Sequence, residues 1–257
     1  MSKYASSTAI DWAPGPNSPM LKGEHVHVWR FNLDNQTPET LELMRTWLSA
    51  VECARVDRFH RPLDGVRFLV GRAAMREILA RYLGTTPDRL CFSKGPFGKP
   101  SIAEPNPSRI QFNLSHSHGQ GALAVSQGRE LGIDIELIRP MESMDAIANR
   151  FFSATENQVY LSLAEVDRPL AFFRIWTRKE AYLKGTGTGI SVPLDSFDVS
   201  VRPDERPSLL RVANQPGEVE RWSMLEFWPE PKALVSLAVE GPVGPVHGFD
   251  YAPRIGQ

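Results

Sequence analysis

The segment LGIDIEL at residues 131–137 constrains the fold more than any other part of the chain. Its apolar side chains stand at odd positions, and its two acids, Asp134 and Glu136, stand at even positions. Because side chains two residues apart share one face of a strand, this alternation predicts a β-strand with an apolar and an acidic face. The two carboxylates would lie close enough to bind one hard cation such as Mg²⁺. A half-buried strand whose acidic face meets only solvent is the alternative.

A helix is predicted from Pro169 to Gly185. Within it, Trp176, Glu180 and Lys184 recur at four-residue spacing and therefore lie along one face. A surface Glu–Lys pair beside a core tryptophan would have the same spacing. A third carboxylate with a lysine is also what a Mg²⁺-bound pyrophosphate needs, since metal and lysine stabilise charge on phosphoryl oxygens.

Two shorter segments carry groups suited to phosphate. The turn KGPFGKP at residues 94–100 presents two lysines, Lys94 and Lys99, and lets the backbone approach a phosphate closely. It lacks the spacing of a Walker loop, and a plain solvated turn would have the same composition. The segment FNLSHSH at residues 112–118 ends a strand, where Ser115 and a protonated His116 could both donate to a phosphate.

The distribution of helix and strand patterns predicts an α+β protein of two pseudo-duplicated subdomains. The long helix of the first half is expected from Val66 to Leu83, with Gly84 at its C-terminal cap. A first strand is expected at residues 25–31, and a capping box at Ser153–Glu156 predicts a further helix start. The expected segments are a mobile lead-in at residues 1–22, a first half at 23–128, a second half at 129–240 and a loose tail at 241–257.

Composition narrows the classes of partner. The chain has 257 residues and a formal net charge of −1, so nucleic acid is not an expected partner. The N-terminal residues contain no apolar run typical of a signal peptide, and no stretch predicts a membrane span, so we expect a cytoplasmic location without membrane contact. The two cysteines, Cys53 and Cys91, lack metal-ligand spacing and are expected to be buried thiols in a reducing compartment.

Taken together, the motifs resemble those of the large, surfactin-type 4′-phosphopantetheinyl transferases. The resemblance runs from about Leu48 to Val199 and rests on GPFGKP, FNLSH, LGIDIE, RFFSATE, WTRKEAYLK and SVPLDSF, in this order. It implies a monomeric enzyme of two similar α+β halves with the active site in the cleft between them. It also implies transfer of 4′-phosphopantetheine from coenzyme A to a serine of an acyl or peptidyl carrier protein, with release of adenosine 3′,5′-bisphosphate.

The resemblance assigns the reacting centre residue by residue. Asp134, Glu136 and Glu180 resemble the carboxylates that bind Mg²⁺, and Mn²⁺ suits the same oxygen ligands. Glu180 also resembles the catalytic base that prepares the carrier serine, acting directly or through a metal-bound water. Lys184 is similar to the lysine that lies on the pyrophosphate. These expectations assign catalysis to Glu180 and Lys184.

At the nucleotide end, the resemblance is less complete. The residues similar to those that hold the 3′-phosphate and neighbouring phosphates of coenzyme A are Lys99, Ser115 and His116. Arg55 stands where these enzymes place a basic side chain near the nucleotide. At Glu52 and Phe68, by contrast, the chain lacks the lysine and the threonine of the surfactin-type enzyme, so the nucleotide contacts of the first half are expected to differ.

Two functions of other classes compete with this interpretation. One is a non-catalytic module that binds coenzyme A or a nucleotide, although such a module would not need three carboxylates. The other is a hydrolase built on Ser115 and His116. Adjacent strand residues point to opposite faces, and no G-x-S-x-G motif surrounds Ser115, which argues against a hydrolase. Fatty-acid, polyketide and peptide synthesis all stay open as the pathway that supplies the carrier.

Overall fold

A computed structural model describes residues 7–103, 109–202 and 204–254. Over these residues the chain forms twelve β-strands and seven α-helices, and the predicted α+β class is confirmed. The helices are α1 (Pro38–Thr46), α2 (Ala50–Val56), α3 (Pro62–Leu83), α4 (Met144–Phe151), α5 (Ala154–Ser162), α6 (Arg168–Thr186) and α7 (Glu218–Arg221). The strands are β1 (Trp12–Pro14), β2 (Val26–Asn32), β3 (Phe92–Lys94), β4 (Pro100–Ile102), β5 (Ile110–Ser117), β6 (Gln120–Gln127), β7 (Leu131–Leu137), β8 (Phe197–Val199), β9 (Leu209–Val212), β10 (Trp222–Glu230), β11 (Ala233–Glu240) and β12 (Val246–Asp250).

The larger sheet unites the two ends of the described chain. Its strand order is β1-β12-β2-β6-β5, and β12 pairs in parallel with β1 on one side and with β2 on the other. The expectations of a mobile lead-in at 1–22 and a loose tail at 241–257 are therefore wrong for residues 12–14 and 246–250, whose backbones are paired in this sheet. Residues 1–6 of the lead-in and 255–257 of the tail lie outside the described residues.

A second, three-stranded sheet carries the acidic segment. Its order is β10-β11-β7, with β7 at the edge and Asp134 opposite Ser236 of β11. Apolar residues of both sheets, such as Val28 and Ile135, belong to one buried cluster, so the two sheets share a core. Each sheet also packs against one long helix, α3 in the first half and α6 in the second. The boundary between halves near residue 128 remains a prediction.

Both long helices begin close to their predicted starts and end on a left-handed glycine. Helix α3 ends at Gly84, whose φ of 60° confirms the predicted cap, but it begins four residues earlier than expected, with Pro62 in its first turn. Helix α6 ends at Gly187, with φ of 70°. The expectation that Gly185 closes this helix is wrong, because Gly185 lies buried within the last turn, where its lack of a side chain allows close packing.

The predicted capping box is confirmed. Ser153 caps α5, accepting a hydrogen bond from the Glu156 amide at 3.2 Å, while a Glu156 carboxylate oxygen accepts one from the Ser153 amide at 2.9 Å. The cysteine prediction is only partly right: Cys53 is half-buried, whereas Cys91 is exposed. Among the described helices, none combines the length and apolar character that a membrane span requires.

Candidate active site

Strands β5 and β7 bring the two sheets together at the site. They are edge strands of different sheets, and side chains of β5 take the place of backbone partners for amides of β7. The donor and acceptor pairs are Ile133 N to Asn113 Oδ1 at 2.9 Å, Ile135 N to Ser115 Oγ at 3.3 Å and Leu137 N to Ser117 Oγ at 3.4 Å. Because side chains alternate along a strand, three residues spaced by two can do this from one face. We call this row of contacts the seam.

Asp134 is the most buried of the three predicted metal ligands, with 4% of its surface exposed. Its Oδ1 accepts hydrogen bonds from Ser115 Oγ at 2.9 Å and from Lys184 Nζ at 2.5 Å. Its Oδ2 is buried and has no hydrogen-bond partner within the described part of the chain. An acceptor left in this state is costly unless a cation or a donor reaches it, so Oδ2 is the natural place for a ligand atom to bind.

Glu136 and Glu180 face the same region from two different elements. Burial raises the pKa of Glu136, and the negative charge of Asp134 raises it further. Burial also raises the pKa of Glu180 on α6, and the charges of Asp134 and Glu136 add to this effect. The charges of Asp134 and Glu136 thus act on Glu180, so these carboxylates of β7 and α6 lie within electrostatic reach of one another.

These carboxylates are suited to a hard divalent cation, which prefers oxygen ligands. Such an ion, if bound, would give the unpartnered Oδ2 of Asp134 a partner and would offset the repulsion among the three acids. In the residues that the structure describes, however, no group of three or more acids, histidines or cysteines is already arranged as a metal site. The ammonium of Lys184 instead supplies the positive charge, since it pairs with Asp134 and also donates to Ser115 Oγ at 3.0 Å.

Helix α6 is fixed from behind by a buried charge cluster that sequence reasoning missed. Arg174 and Arg178 both pair with Glu226 of β10, with closest distances of 2.8 Å, and all three side chains are fully buried. One helical turn separates the two arginines, so both lie on one face of α6, where they meet Glu226. The only signal in the sequence was two arginines at four-residue spacing, without any indication of their partner.

Lys179, the residue before Glu180 on α6, fixes the loop that borders the space beside Glu180. Lys179 is buried, pairs with Glu156 at 2.8 Å and donates to the carbonyls of Leu194 and Phe197, each at 2.6 Å. These contacts hold the loop that follows α6 against the helix. A cavity of about 290 Å³ lies there, and its lining includes Glu180, Val192 and Leu194. Trp176 packs against Phe172, and its ring is nearly parallel to that of Phe172.

The ammonium of Lys99 is hydrogen-bonded within the protein and does not extend into solvent. Its Nζ contacts Glu130 at 2.6 Å, the carbonyl of Leu131 at 3.0 Å and the carbonyl of Gly185 at 2.7 Å. Burial lowers its pKa, and Glu130 counteracts this effect. All three ammonium hydrogens thus have acceptors, and the lysine joins the turn at 94–100 to the start of β7 and the end of α6. Its predicted contact with a phosphate stays a prediction.

His116 and Arg55 lie on the first half. The side chain of His116 reaches the surface, but protein atoms surround part of its ring. This partial desolvation lowers the pKa of His116, and the positive charge of Lys184 lowers it further. The neutral ring is therefore favoured until an anion approaches. Arg55 is exposed on α2 and stacks over the ring of Phe68, 4.7 Å from its centroid. Position 68 thus carries a phenylalanine ring that packs against the Arg55 guanidinium, in place of the threonine of the surfactin-type pattern.

Glu52, the other departure, has a structural role. It completes a capping box with Ser49 at the start of α2 and pairs with Arg72 at 2.5 Å and Arg76 at 2.7 Å. Although burial raises its pKa, hydrogen bonds from the Ser49 amide and from the two arginines lower it to about 2. An ionised carboxylate, paired with two arginines, therefore stands where the surfactin-type pattern has a lysine.

Comparison with known proteins identifies the family. A sequence model described as the 4′-phosphopantetheinyl transferase superfamily matches residues 130–228, and one described as 4′-phosphopantetheinyl transferase, N-terminal, matches residues 34–128. The 4′-phosphopantetheinyl transferase HetI of Nostoc sp. is 38% identical over 231 residues, which are 90% of this chain and 94% of the relative. The chain belongs to the 4′-phosphopantetheinyl transferase superfamily.

Other members of the transferase superfamily align over a shorter span. The 4′-phosphopantetheinyl transferase psf-1 of Bacillus pumilus is 35% identical, with 68% of this chain and 73% of the relative covered. The 4′-phosphopantetheinyl transferase Sfp of Bacillus subtilis is 33% identical, with 66% of this chain and 74% of the relative covered. The family and the enzyme class predicted from the motifs are thus confirmed.

Proposed function

We propose that this enzyme transfers 4′-phosphopantetheine from coenzyme A to a serine of an apo acyl or peptidyl carrier protein, releases adenosine 3′,5′-bisphosphate and requires Mg²⁺. The observation that carries the proposal is the joint position of three carboxylates and Lys184, where β7 meets α6. An enzyme that cleaves the doubly charged pyrophosphate of coenzyme A has to neutralise the phosphoryl oxygens, and this set of groups can do so.

Asp134, Glu136 and Glu180 are proposed to hold the Mg²⁺, and Mn²⁺ suits the same donors. The buried and unpartnered Oδ2 of Asp134 among the described residues supports this assignment. When bound, the divalent cation neutralises charge on the pyrophosphate and makes its phosphorus more electrophilic.

Lys184 is proposed to neutralise the departing adenosine bisphosphate. In the free protein its ammonium is engaged by Asp134 and Ser115. A pyrophosphate offers it a more highly charged partner, and the flexible four-carbon stem of lysine allows the ammonium to change partners within a short distance. Charge developing on the leaving oxygen would then be met by a cation that is already in the site.

Glu180 is proposed to accept the proton of the carrier serine. Burial and the nearby charges of Asp134 and Glu136 raise its pKa, which makes it a stronger base than an ordinary glutamate. The cavity beside Glu180 offers the serine a route to the carboxylate. Attack of the serine oxygen on the β-phosphorus forms the new phosphodiester as the bond to the bisphosphate breaks.

The nucleotide of coenzyme A is proposed to lie along the first half of the protein. The groups assigned to its phosphates are Lys99, Ser115 and His116, and Arg55 is assigned to the nucleotide end. Ser115 and Lys184 already share a hydrogen bond, which supports a common location for the phosphate and pyrophosphate contacts. The stacking of Arg55 on Phe68 provides a flat cationic surface of the kind that can meet a purine or a phosphate.

The test is intact mass spectrometry of several apo carrier proteins incubated with the enzyme, coenzyme A and Mg²⁺. We expect a chelator-sensitive gain of about 340 Da, the mass of one phosphopantetheinyl group added in a metal-assisted transfer. Asp134→Ala should abolish the gain while the variant keeps its fold. Bound coenzyme A without a mass gain on any carrier would contradict the proposal and favour a binding module, and near-normal transfer by folded Asp134→Ala would contradict the metal assignment.

A further inference from the structure

Ser117 makes contacts that neither the motifs nor the proposed mechanism accounts for. Its side chain is buried, with 8% of the residue exposed, at the end of β5. Its Oγ accepts a hydrogen bond from the Leu137 amide at 3.4 Å and donates one to Oε2 of Glu136 at 2.7 Å. A third neighbour, Nδ1 of His118, lies 3.0 Å away.

The direction of these hydrogen bonds follows from the groups involved. An amide can only donate, and a carboxylate can only accept, so the single hydroxyl proton of Ser117 is directed toward Glu136. A charge-assisted bond to a carboxylate is stronger than one to a neutral imidazole, which leaves His118 to donate to Oγ when its Nδ1 carries the proton. The hydroxyl is thereby held on Glu136 from one side.

The three members of the seam differ in what they do besides joining the strands. Ser115 and Ser117 each accept from a β7 amide and donate to the carboxylate one residue before that amide, Asp134 and Glu136 respectively. Asn113 accepts from the Ile133 amide, and the residue one position before Ile133 is Gly132, which has no side chain. The seam therefore contains one pure connector and two groups that also orient acids.

One oxygen of Glu136 is fixed by Ser117, and the other accepts no hydrogen bond from the described residues. A glutamate has three rotatable side-chain bonds, and one anchored oxygen restricts them in a way that backbone placement on β7 cannot. Groups of this kind, which hold a metal-binding side chain without touching the metal, commonly control metal affinity.

We propose that Ser117 is a positioning residue that orients Glu136 for the divalent cation, an inference that rests on the proposed function. The hydroxyl acts from β5 of the larger sheet on a ligand carried by β7 of the smaller sheet. Metal binding in this enzyme therefore depends on the docking of the two sheets at the seam. Ser117 itself touches neither the metal nor the substrate.

The experiment measures binding of Mn²⁺ to the full chain by electron paramagnetic resonance, with and without coenzyme A. Ser117→Ala is expected to weaken Mn²⁺ binding ten- to a hundred-fold, as is typical when the partner of a metal ligand is removed. Asn113→Ala is the matched control, because it removes a seam contact without touching an acid and should leave the Mn²⁺ affinity within about twofold of the wild type. Ser117→Thr, which keeps the hydroxyl, should restore most of the affinity.

Each outcome decides between the possibilities. Folded Ser117→Ala with wild-type Mn²⁺ affinity, or an equal loss in Asn113→Ala, would overturn the positioning role. If the wild-type protein binds no Mn²⁺ with or without coenzyme A, the metal site of the proposed function is overturned, and this inference with it. The same holds if Asp134→Ala leaves the Mn²⁺ affinity unchanged. If Ser117→Ala does not fold, Ser117→Cys gives the same comparison, because a thiol nearly matches the hydroxyl in shape but donates weakly.

Discussion

Replacing Gly132 with alanine tests how closely strand β7 has to approach helix α6. A Cβ at Gly132 would lie 2.1 Å from the carbonyl oxygen of Ala181 and 2.2 Å from the amide nitrogen of Gly185. Both atoms belong to the backbone of α6, so no side-chain rotation can relieve the contact. The strand that carries Asp134 and the helix that carries Lys184 must therefore move apart.

The size of the movement follows from the contact distance. Ordinary van der Waals contact begins at 3.4 Å, so relief of the 2.1 Å contact requires a displacement of about 1.3 Å. Overpacking of this kind destabilises a protein by ~1–3 kcal/mol. A displacement of about 1 Å in a reacting centre can lower a rate by about a hundredfold, and we expect a loss of this order in carrier modification.

Carrier modification is followed by mass spectrometry, and unfolding is followed by thermal denaturation. Gly217→Ala is the matched control, since no described atom lies within 4 Å of a Cβ at that position and its φ is −67°. We expect the control to behave as wild type. A Gly132→Ala enzyme with an unchanged melting temperature and an unchanged rate would refute the argument that backbone contact between β7 and α6 sets the geometry of the site.

Three other measurements test separate parts of the structure. Burial and nearby imidazoles lower the pKa of His27 to about 4, so the unfolded chain binds a proton at this residue before the folded protein does as the pH falls. The free energy of unfolding should therefore drop by up to ~3 kcal/mol between pH 6.5 and 4. In urea titrations, the free energy of unfolding of His27→Gln should depend less on pH over this range. Glu226→Gln deprives two buried arginines of their carboxylate and should cost ~3–5 kcal/mol of stability in denaturant titrations, whereas a cost below ~1 kcal/mol would contradict the buried pairing. Arg55→Ala should raise KM for coenzyme A without changing kcat, and an unchanged KM would remove Arg55 from the nucleotide site.

Local patterns were sufficient for the elements that carry the chemistry. The alternation around Asp134 and Glu136 predicted β7, because a strand with one buried face has to repeat every two residues. The four-residue spacing of Glu180 and Lys184 predicted their shared helix face, and the glycine after α3 predicted its cap. These features depend on neighbours a few positions away, which the sequence displays directly.

Long-range partners were not visible in the same way. Nothing near Lys99 indicated that Glu130 and two carbonyls would satisfy its ammonium, and the contact of Glu226 with α6 joins residues about fifty positions apart. The pairing of β12 with β1 joins still more distant segments, so Gly- and Pro-rich flanks were mistaken for loose ends. The sequence did show that Ser117 stands two residues after Ser115 and therefore on the same face of β5. It did not show the partner of Ser117, because Glu136 lies on another sheet.

The place of β12 between β1 and β2 has a consequence for the order in which the protein can fold during synthesis. Residues 12–14 and 26–32 leave the ribosome early, but the strand that joins them, at residues 246–250, is made more than two hundred residues later. Domains commonly fold as they emerge, from the N-terminus onward. Here the larger sheet cannot close until nearly all of the second half has been made, so the first half has to wait, with an open sheet edge, for a strand that comes after Asp134, Glu136 and Glu180.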